Sequence, residues 1–593
     1  MKNIGRFIES ARAVVNAFRH VATALHIVWN TRPALFMVVA ALSLSASAIP
    51  VTNLWIGKHL LDAVAQAVSR PNIEGTYRQM VWLLALQVLL AGASAFLNGL
   101  NGSYKELLMT DVQNRSVLMI LRKAVSLDLE HFERSETHDT LRTALGQVGS
   151  RPVMICLQLV SVGQSLLVLG SVGALMSRLG LGVFLIVALA AVPGVLVANR
   201  FGVLSYRQGR RRAPELRAQN YLASLLTSEH AAKEIRAAGT EEFLLGRWEH
   251  YRRRITAEIR ELSVARTTWT VVASITSTAL IIGATLSVVR QAAAGQISVG
   301  EFSVLTMGIG YVQSQLAAIL AGVAGLYENL LHMGTLAEFL ALPSSRKDEG
   351  DEWRGVIDTI QFDNVSYGYP SHGKLAVDSL SFTARRGESI AIVGTNGSGK
   401  STLIRLLSRL AVPTSGRILI NGQDASKFSG RSLQREISVM FQDHVRYSMT
   451  MRDNIGVGDV QRLIDEDAVK RAAQDSGVAD FMKDWEAGYD TTLGQLFPQS
   501  KELSWGQWQR VALARLYFKR CSMYLLDEPT ASLDIEAERR TAQYLRARSR
   551  DHIVIVVTHN PELIALVDKV LPLTNGRLTQ MPSKQATATE QVT

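Results

Sequence analysis

The run Gly394-Thr395-Asn396-Gly397-Ser398-Gly399-Lys400-Ser401-Thr402 has the composition of a phosphate cradle. Ser389 to Val393 before it reads as a buried strand and Thr402 to Leu407 after it opens a helix, the context such a loop needs. Glycines let backbone N–H groups turn inward around phosphate oxygens without a Cβ in the way, and the helix N-terminus adds partial positive charge. Lys400 would then reach the β- and γ-phosphates of a nucleotide, and the Ser401 hydroxyl would ligate Mg²⁺. A second constellation supplies what such a cradle lacks. Met523 to Leu526 is an apolar strand terminating in Asp527 and Glu528. Asp527 would hold the metal directly or through water, while Glu528 would polarise the water that attacks the γ-phosphate. A glycine-rich turn and a helix-capping carboxylate pair are the bland alternatives; the following Pro529 and the order of the motifs weigh against the second.

Three more positions gain meaning from where they stand. His552 to His559 is a β-branched run suited to a strand buried on both faces, with His559 at its carboxyl end, the edge of a parallel sheet where functional groups collect. Ser504 precedes Gln507 by three residues, a capping box that would start a helix with its amides pointing outward. Val439 to Asp443 is a short apolar run ending in Gln442 and Asp443, uninformative by itself. Upstream, Ile360, Phe362, Val365, Tyr367 and Tyr369 suggest a strand pair. The elements required to position these side chains are therefore those of an α/β domain.

That domain is diluted by something more apolar. At 593 residues the chain exceeds one core, and its 47% hydrophobic content is high for a soluble protein. The formal charge of +11 could attract nucleic acid, but the basic residues are dispersed between apolar stretches rather than gathered on an aromatic platform. No nucleic-acid partner is expected; cytoplasmic loops under the positive-inside rule account for the excess. Cys156 and Cys521 are the two cysteines, read as inert core thiols without a disulfide or metal site.

Six apolar stretches of about 20 residues, Ala34 to Ile56, Met80 to Leu100, Val153 to Ser177, Leu181 to Asn199, Trp269 to Val289 and Phe302 to Leu326, are each long enough to span a hydrocarbon core of about 30 Å. They contain no Asp, Glu, Lys or Arg, so no ion relay is expected. Tyr311, Gln313 and Gln315 in the sixth, with Ser274, Thr276 and Ser277 in the fifth, are candidates to touch cargo; helix packing is the plainer role for the small residues. The long Arg-rich segments 101–152 and 200–268 read as helices continuing out of the membrane on the cytoplasmic side, with the N-terminus and C-terminal half beside them.

The expected organisation is an amphipathic interfacial helix over 1–32, a six-helix membrane domain over 33–342, a polar linker over 343–356, the α/β domain over 357–580 and a disordered tail over 581–593, with the strand pattern stopping beyond Gly576. In the first segment Phe7, Ala11, Val14, Phe18, Val21 and Leu25 recur at helical spacing and Arg6, Arg12 and Arg19 stay off the stripe. A mitochondrial targeting peptide competes with that reading, and no cleavable signal peptide is expected.

With its motifs in this order, the chain resembles the ATP-binding cassette (ABC) exporters of half-transporter type. Leu503-Ser504-Trp505-Gly506-Gln507-Trp508-Gln509-Arg510 is close to the family signature LSGGQ-x-QR, with Trp505 where the first glycine usually stands, a departure that could crowd the backbone and slow catalysis. The resemblance implies ATP and Mg²⁺ as cofactors, held by Gly394, Asn396, Gly397, Gly399, Lys400, Ser401 and Thr402. It implies Tyr369 as the adenine-stacking residue, Gln442 as a contact to Mg²⁺ and the attacking water, and His559 as the switch residue at the γ-phosphate. Ser504, Gly506 and Gln507 would face the nucleotide of the opposing subunit, Asp534 would lie in the loop communicating across the dimer, and the runs Leu129 to Ser135 and Glu234 to Phe243 would carry coupling helices. It further implies two ATPs sandwiched in a dimer, a homodimer being the simpler hypothesis because Lys400, Glu528 and His559 are all present.

The expected function is ATP-driven export of an amphipathic substrate from the cytoplasm across a bacterial plasma membrane. The wording Gln507-Trp508-Gln509-Arg510 and the short lead-in resemble exporters of lantibiotics and related modified peptides; no leader-cleaving peptidase domain is expected. Flipping of lipid or lipid-linked sugar, efflux of hydrophobic drugs, import on an exporter fold and a soluble ATPase that merely binds membranes are the alternatives.

Overall fold

The computed structural model describes residues 19–69, 73–134, 140–141, 149–175, 181–343, 350–369 and 374–579. The chain divides into two compact units. One comprises Met1–Val125 and Glu133–Leu342, and the other Ser126–Phe132 and Pro343–Thr593.

The first unit is helical: α1 over 19–31, α2 Pro33–Ser45, α3 Ala48–Ser69, α4 Ile73–Val125, α6 Arg151–Leu175, α7 Leu181–Thr227, α8 Glu229–Ala238, α9 Glu241–Ala293 and α10 Val299–Ala341, with the short α5, Leu129–Glu133, assigned mostly to the other unit. Among the described residues six stretches are long and apolar enough to cross a membrane, each overlapping one of the six predicted spans. The first differs from its prediction in one respect. It is broken at Ala46–Ser47, between α2 and α3. Pro50 explains this, because it has no N–H to donate and its ring clashes with the carbonyl four residues earlier, that of Ala46. The two turn hydroxyls close the break, Ser45 Oγ donating to Leu42 O at 3.0 Å and Ser47 Oγ to Leu44 O at 2.5 Å.

Leu54, Val168, Val172, Ala284, Val288, Leu305, Ile309 and Val312 form an apolar core from α3, α6, α9 and α10. Polar ties also join these helices. The Lys58 ammonium pairs with Glu301 at 3.2 Å, and Arg151 Nη1 donates to Asn329 Oδ1 at 2.6 Å. α4, α7 and α9 run on for 53, 47 and 53 residues, as helices continuing beyond a membrane thickness must. The run predicted as a second coupling segment is not one helix: α8 closes on Gly239 at φ 61° and α9 starts at Glu241. Most of the interfacial-helix prediction, residues 1–18, and the whole of the 581–593 tail lie outside the described residues.

Among its described residues the second unit holds two sheets. An antiparallel sheet has the order β2-β1-β4-β5, from β1 Thr359–Gly368, β2 Leu375–Arg385, β4 Ser415–Ile420 and β5 Gln423–Asp424. The other has the order β10-β9-β3-β8-β7-β6, from β3 Ser389–Val393, β6 Ile437–Met440, β7 Met523–Asp527, β8 Ile553–Val557, β9 Lys569–Thr574 and β10 Arg577–Leu578. All its pairings but β9–β10 are parallel. Successive side chains on a strand face opposite sides. Leu525, Ile553, Ile555 and Val557 accordingly enter one core with Leu403 and Leu407, while Tyr524, Leu526, Val554 and Val556 enter another with Trp508 and Val511. A strand covered on both faces has no polar alternation, which is why these runs are continuously apolar. β10 corrects the expectation that strands stop beyond Gly576. Asn575 and Gly576, at φ 49° and 79°, make a tight turn after which two residues pair back onto β9. The helices used below are α11 Lys400–Leu407, α12 Trp505–Phe518 and α13 Ile535–Arg548.

Candidate nucleotide site

The parallel sheet brings the predicted chemistry to one edge. β8 lies between β3 and β7, with Val557 opposite both Ile392 and Asp527 in register, and β6 flanks β7 with Met440 opposite Leu526. The residues that follow these strands, the cradle after β3, Gln442 after β6, Glu528 after β7 and His559 after β8, therefore leave the sheet at the same, carboxyl end.

The cradle is pre-bent. Gly399 stands at φ 105° as the residue before α11, and a Cβ there would meet Ala376 O at 2.5 Å, so the position demands glycine on two counts. Lys400 is 8% exposed, with its ammonium donating to Gly394 O at 2.5 Å and Thr395 O at 3.0 Å. The Ser398 hydroxyl is buried and has no hydrogen-bond partner among the described residues. An inward-folded ammonium, an orphan hydroxyl and a helix N-terminus fit an anion of phosphate type. Ser401 is exposed at the start of α11, whereas the Thr402 side chain is buried and its hydroxyl lies 3.1 Å from the Tyr369 hydroxyl. Tyr369 is half-buried, with the Arg405 guanidinium 5.6 Å from its ring centroid and Tyr367 packed edge-on at 5.2 Å.

Asp527 ends β7 at 7% exposure; burial and then the neighbouring Glu528 charge push its carboxyl up to about 6, against the pull of Lys400. Two carboxylates forced together in a partly dry site favour a cation between or beside them. Glu528 has left the strand into left-handed backbone at φ 49°, and its carboxylate accepts from Gln442 Nε2 at 2.9 Å. Gln442 and Glu528 are thus joined directly, side chain to side chain. His559 is exposed beyond β8. The next residue, Asn560, is anchored, its amide N–H bonded to the Thr558 hydroxyl at 3.0 Å and its side chain to that of Thr530 at 3.3 Å.

The Ser504 capping box forms in full: Gln507 N–H donates to Ser504 Oγ at 3.3 Å and Ser504 N–H to Gln507 Oε1 at 2.9 Å, starting α12. Gly506 cannot carry a side chain, since a Cβ would sit 2.8 Å from Ser532 O. No such wall restricts position 505. The Trp505 ring is 49% exposed and lies to the side, against Arg446. This is why the departure from the family pattern falls at the first glycine and spares the second. Asp534 caps α13 through Ala537 N–H at 2.8 Å and pairs with Arg510.

Sequence reasoning placed Gln509 in the signature run but gave it no role. It is 3% exposed, and its amide donates to Pro529 O at 2.7 Å while its carbonyl oxygen accepts from Ser532 N–H at 3.0 Å. This one side chain ties α12 to the loop after Glu528. Its sequence signal was its place in the run Leu503 to Arg510 that matches the family signature. Tyr367, predicted as a strand residue, bonds through its hydroxyl to Glu130 at 3.4 Å, inside the unit that contains Ser126–Phe132. Among the described residues no cluster of three or more His, Cys, Asp and Glu is placed to hold a metal without a ligand's help. Burial pushes the Cys521 thiol up to about 12.

Comparison with known proteins agrees with this geometry. The family profile described as "ABC transporter" matches residues 377–531. The subtilin transport ATP-binding protein of Bacillus subtilis is 28% identical over 93% of this chain and 89% of its own length, and the nisin transport ATP-binding protein of Lactococcus lactis is 26% identical over 93% and 91%. A beta-(1-->2)glucan export ATP-binding/permease protein of Rhizobium meliloti is 34% identical, over 42% of each chain. The structure of a bacterial Atm1-family ABC exporter with ATP bound superposes with a TM-score of 0.77 at 22% identity, covering 91% of this chain and 94% of that one. The region 377–531 is thus an ABC transporter ATPase, carried with six apolar helices on a membrane chain that has the ABC exporter fold and is homologous to the bacterial subtilin and nisin transport proteins.

Proposed function

We propose that this ATP-driven exporter moves an amphipathic peptide out of the cytoplasm, works as a homodimer in a bacterial plasma membrane, and keeps its N-terminus and ATPase on the cytoplasmic side. The observation that carries the cargo reading is the reach of the likeness. The subtilin and nisin transport proteins align over 93% of the chain. The glucan exporter of Rhizobium meliloti aligns over 251 residues, too few to include all of Pro33–Ala341, where the six spans lie. Cargo is handled by spans, so a likeness that includes them weighs more than a higher identity that does not.

A cavity of about 420 Å³ between α3, α4 and α10 is consistent with such cargo. Asn53, Gln87 and Tyr311 offer neutral hydrogen-bonding groups beside Leu54 and Met307, with no charged residue in the lining. Of the predicted cargo contacts it contains Tyr311 and none of Gln313, Gln315, Ser274, Thr276 or Ser277. The Thr276 and Ser277 hydroxyls donate to Val272 O and Ala273 O on their own helix, the plainer packing role. A neutral amide-rich pocket suits a peptide backbone with apolar side chains.

In the nucleotide site Lys400 exchanges the Gly394 and Thr395 carbonyls for phosphate oxygens, the cradle amides and Ser398 complete the cage, and Tyr369 supports the base. Glu528, oriented by Gln442, takes hydrogen-bond hold of the attacking water, and His559 approaches from β8. Ser401, Gln442 and Asp527 are the residues that would hold Mg²⁺, which when bound neutralises charge on the transferring phosphoryl group. Ser504, Gly506 and Gln507 at the start of α12 would face a nucleotide on the opposing subunit, next to Asp534, with the Gly506 amide lying outside the capping-box bonds that occupy the other two.

The test is ATP-dependent accumulation in inside-out vesicles carrying the chain. Uptake of an amphipathic, membrane-active peptide, weakened by Tyr311→Ala, is expected. Uptake of a β-glucan with no response to peptide would replace the cargo reading, and accumulation only in right-side-out vesicles would replace export by import.

A further inference from the structure

Trp505 stands where the structure leaves room for a side chain, and it does not stand alone. The Arg446 guanidinium lies 4.1 Å from its ring centroid, and the His444 ring packs at 5.9 Å with the planes tilted 49°. Both partners belong to the loop that begins with Gln442, whose amide holds the Glu528 carboxylate at 2.9 Å. The loop is held to α12 at a second place. Arg515 donates to Val445 O at 3.3 and 3.2 Å, and its guanidinium lies 4.7 Å from the Tyr447 ring centroid. The loop from Gln442 to Tyr447 is therefore laid along α12, bound near Arg515 and again at the helix N-terminus.

We propose that Trp505 and Arg446 are positioning residues for ATP hydrolysis: their cation–π clasp fixes the Gln442 loop against the N-terminus of α12, and so fixes Gln442 on Glu528. His444, two positions after Gln442, also packs on the Trp505 ring, so the clasp holds the stretch between Gln442 and the Arg515 tie at Val445 as well as Arg446 beyond it. Among aromatic rings the indole face holds a cation best. Trp505 at the first glycine position is then a working part, not an obstruction. That reverses the expectation that its bulk slows catalysis.

The experiment is steady-state ATPase kinetics on the full chain in lipid nanodiscs, with Arg446→Gln, Trp505→Leu, the double variant, Arg446→Lys and Trp505→Phe. Each of the first two is expected to lower kcat by about 2- to 10-fold with KM for ATP changed by less than about twofold, since the cradle is untouched. The double variant should fall no further than the worse single, and Arg446→Lys and Trp505→Phe should recover most of the rate because they keep a cation and a ring. ATP binding is measured in parallel with each change placed on a Glu528→Gln background. Multiplicative losses in the double variant, no rescue by Lys or Phe, a rate unchanged or raised in either single variant, or loss of ATP binding would each overturn the proposal. The last would mean that the pair supports the fold rather than the geometry of hydrolysis.

Discussion

Glu528 occupies left-handed backbone at φ 49° directly after β7. Such a conformation costs a non-glycine residue on the order of 1–3 kcal/mol and is kept where its surroundings over-determine it. Here they do: the Glu528 N–H is bonded to Val557 O at 2.9 Å, Gln442 holds the carboxylate, and Gln509 holds the Pro529 carbonyl beyond it. Replacing Glu528 by Gln keeps the backbone and volume but removes the charge that polarises water. Turnover should fall by about 10²- to 10⁴-fold with ATP still bound, checked by phosphate release against equilibrium ATP binding; wild-type turnover would assign the base elsewhere. Gly506→Ala is the steric counterpart. Its Cβ would press on a backbone carbonyl, that of Ser532, which cannot rotate away as a side chain would. The expected cost is about 1–3 kcal/mol in thermal stability together with a lower kcat, because the displaced loop runs on to Asp534.

At the scale of elements, α12 and the strand edges can be perturbed separately. Ser504→Ala removes one half of the capping box and should cost about 1 kcal/mol, read as a lower unfolding midpoint. The β3–β9 edge carries a pH-dependent tie. The Asp568 carboxylate accepts from the Ser389 hydroxyl at 2.7 Å and its N–H at 2.8 Å, and these bonds hold it below the usual carboxylate range. A lowered folded-state value means the contribution is complete above the unfolded value of about 3.9 and is lost as pH falls through the folded one. The Tm gap between wild type and Asp568→Asn should therefore be constant from neutral pH down to about pH 5 and close on further acidification; being at the surface, it will be small. A gap that widened in acid would assign the tie to another group.

What could be read in advance follows the same division. β3, β7 and β8 were legible because burial on both faces leaves an unbroken apolar run ending abruptly in polar residues. The capping box was legible because it is local. β10 was not, because two residues carry no periodicity and their pairing depends on a turn. The break in the first span was not either, since Pro50 in an apolar run disappears from a count of apolar residues. The roles of Gln509 and Arg446 were hidden for a third reason. Their partners lie 20 and 59 positions away in the chain, and no local pattern marks a tertiary contact.

For the whole molecule the decisive quantity is whether one kind of chain suffices. The cradle, the Gln442–Glu528 pair and the α12 N-terminus occur together in a single ATPase unit. ABC exporters act as dimers, and in a homodimer every one of these features would be present twice, leaving no site degenerate. Purified alone in lipid nanodiscs, the chain should therefore hydrolyse ATP in a Mg²⁺-dependent manner. Its rate should exceed that of Glu528→Gln by about 10²-fold or more, and chelating the metal should abolish the difference. Mixing the two forms supplies the second measurement. If the two sites fire together, one inactive subunit silences its dimer, and activity falls with the square of the wild-type fraction rather than in proportion to it. A linear fall would mean independently working sites. Absence of any rate above the Glu528→Gln blank would mean that a second, different half completes the machine, and would send the search to its partner chain rather than to its cargo.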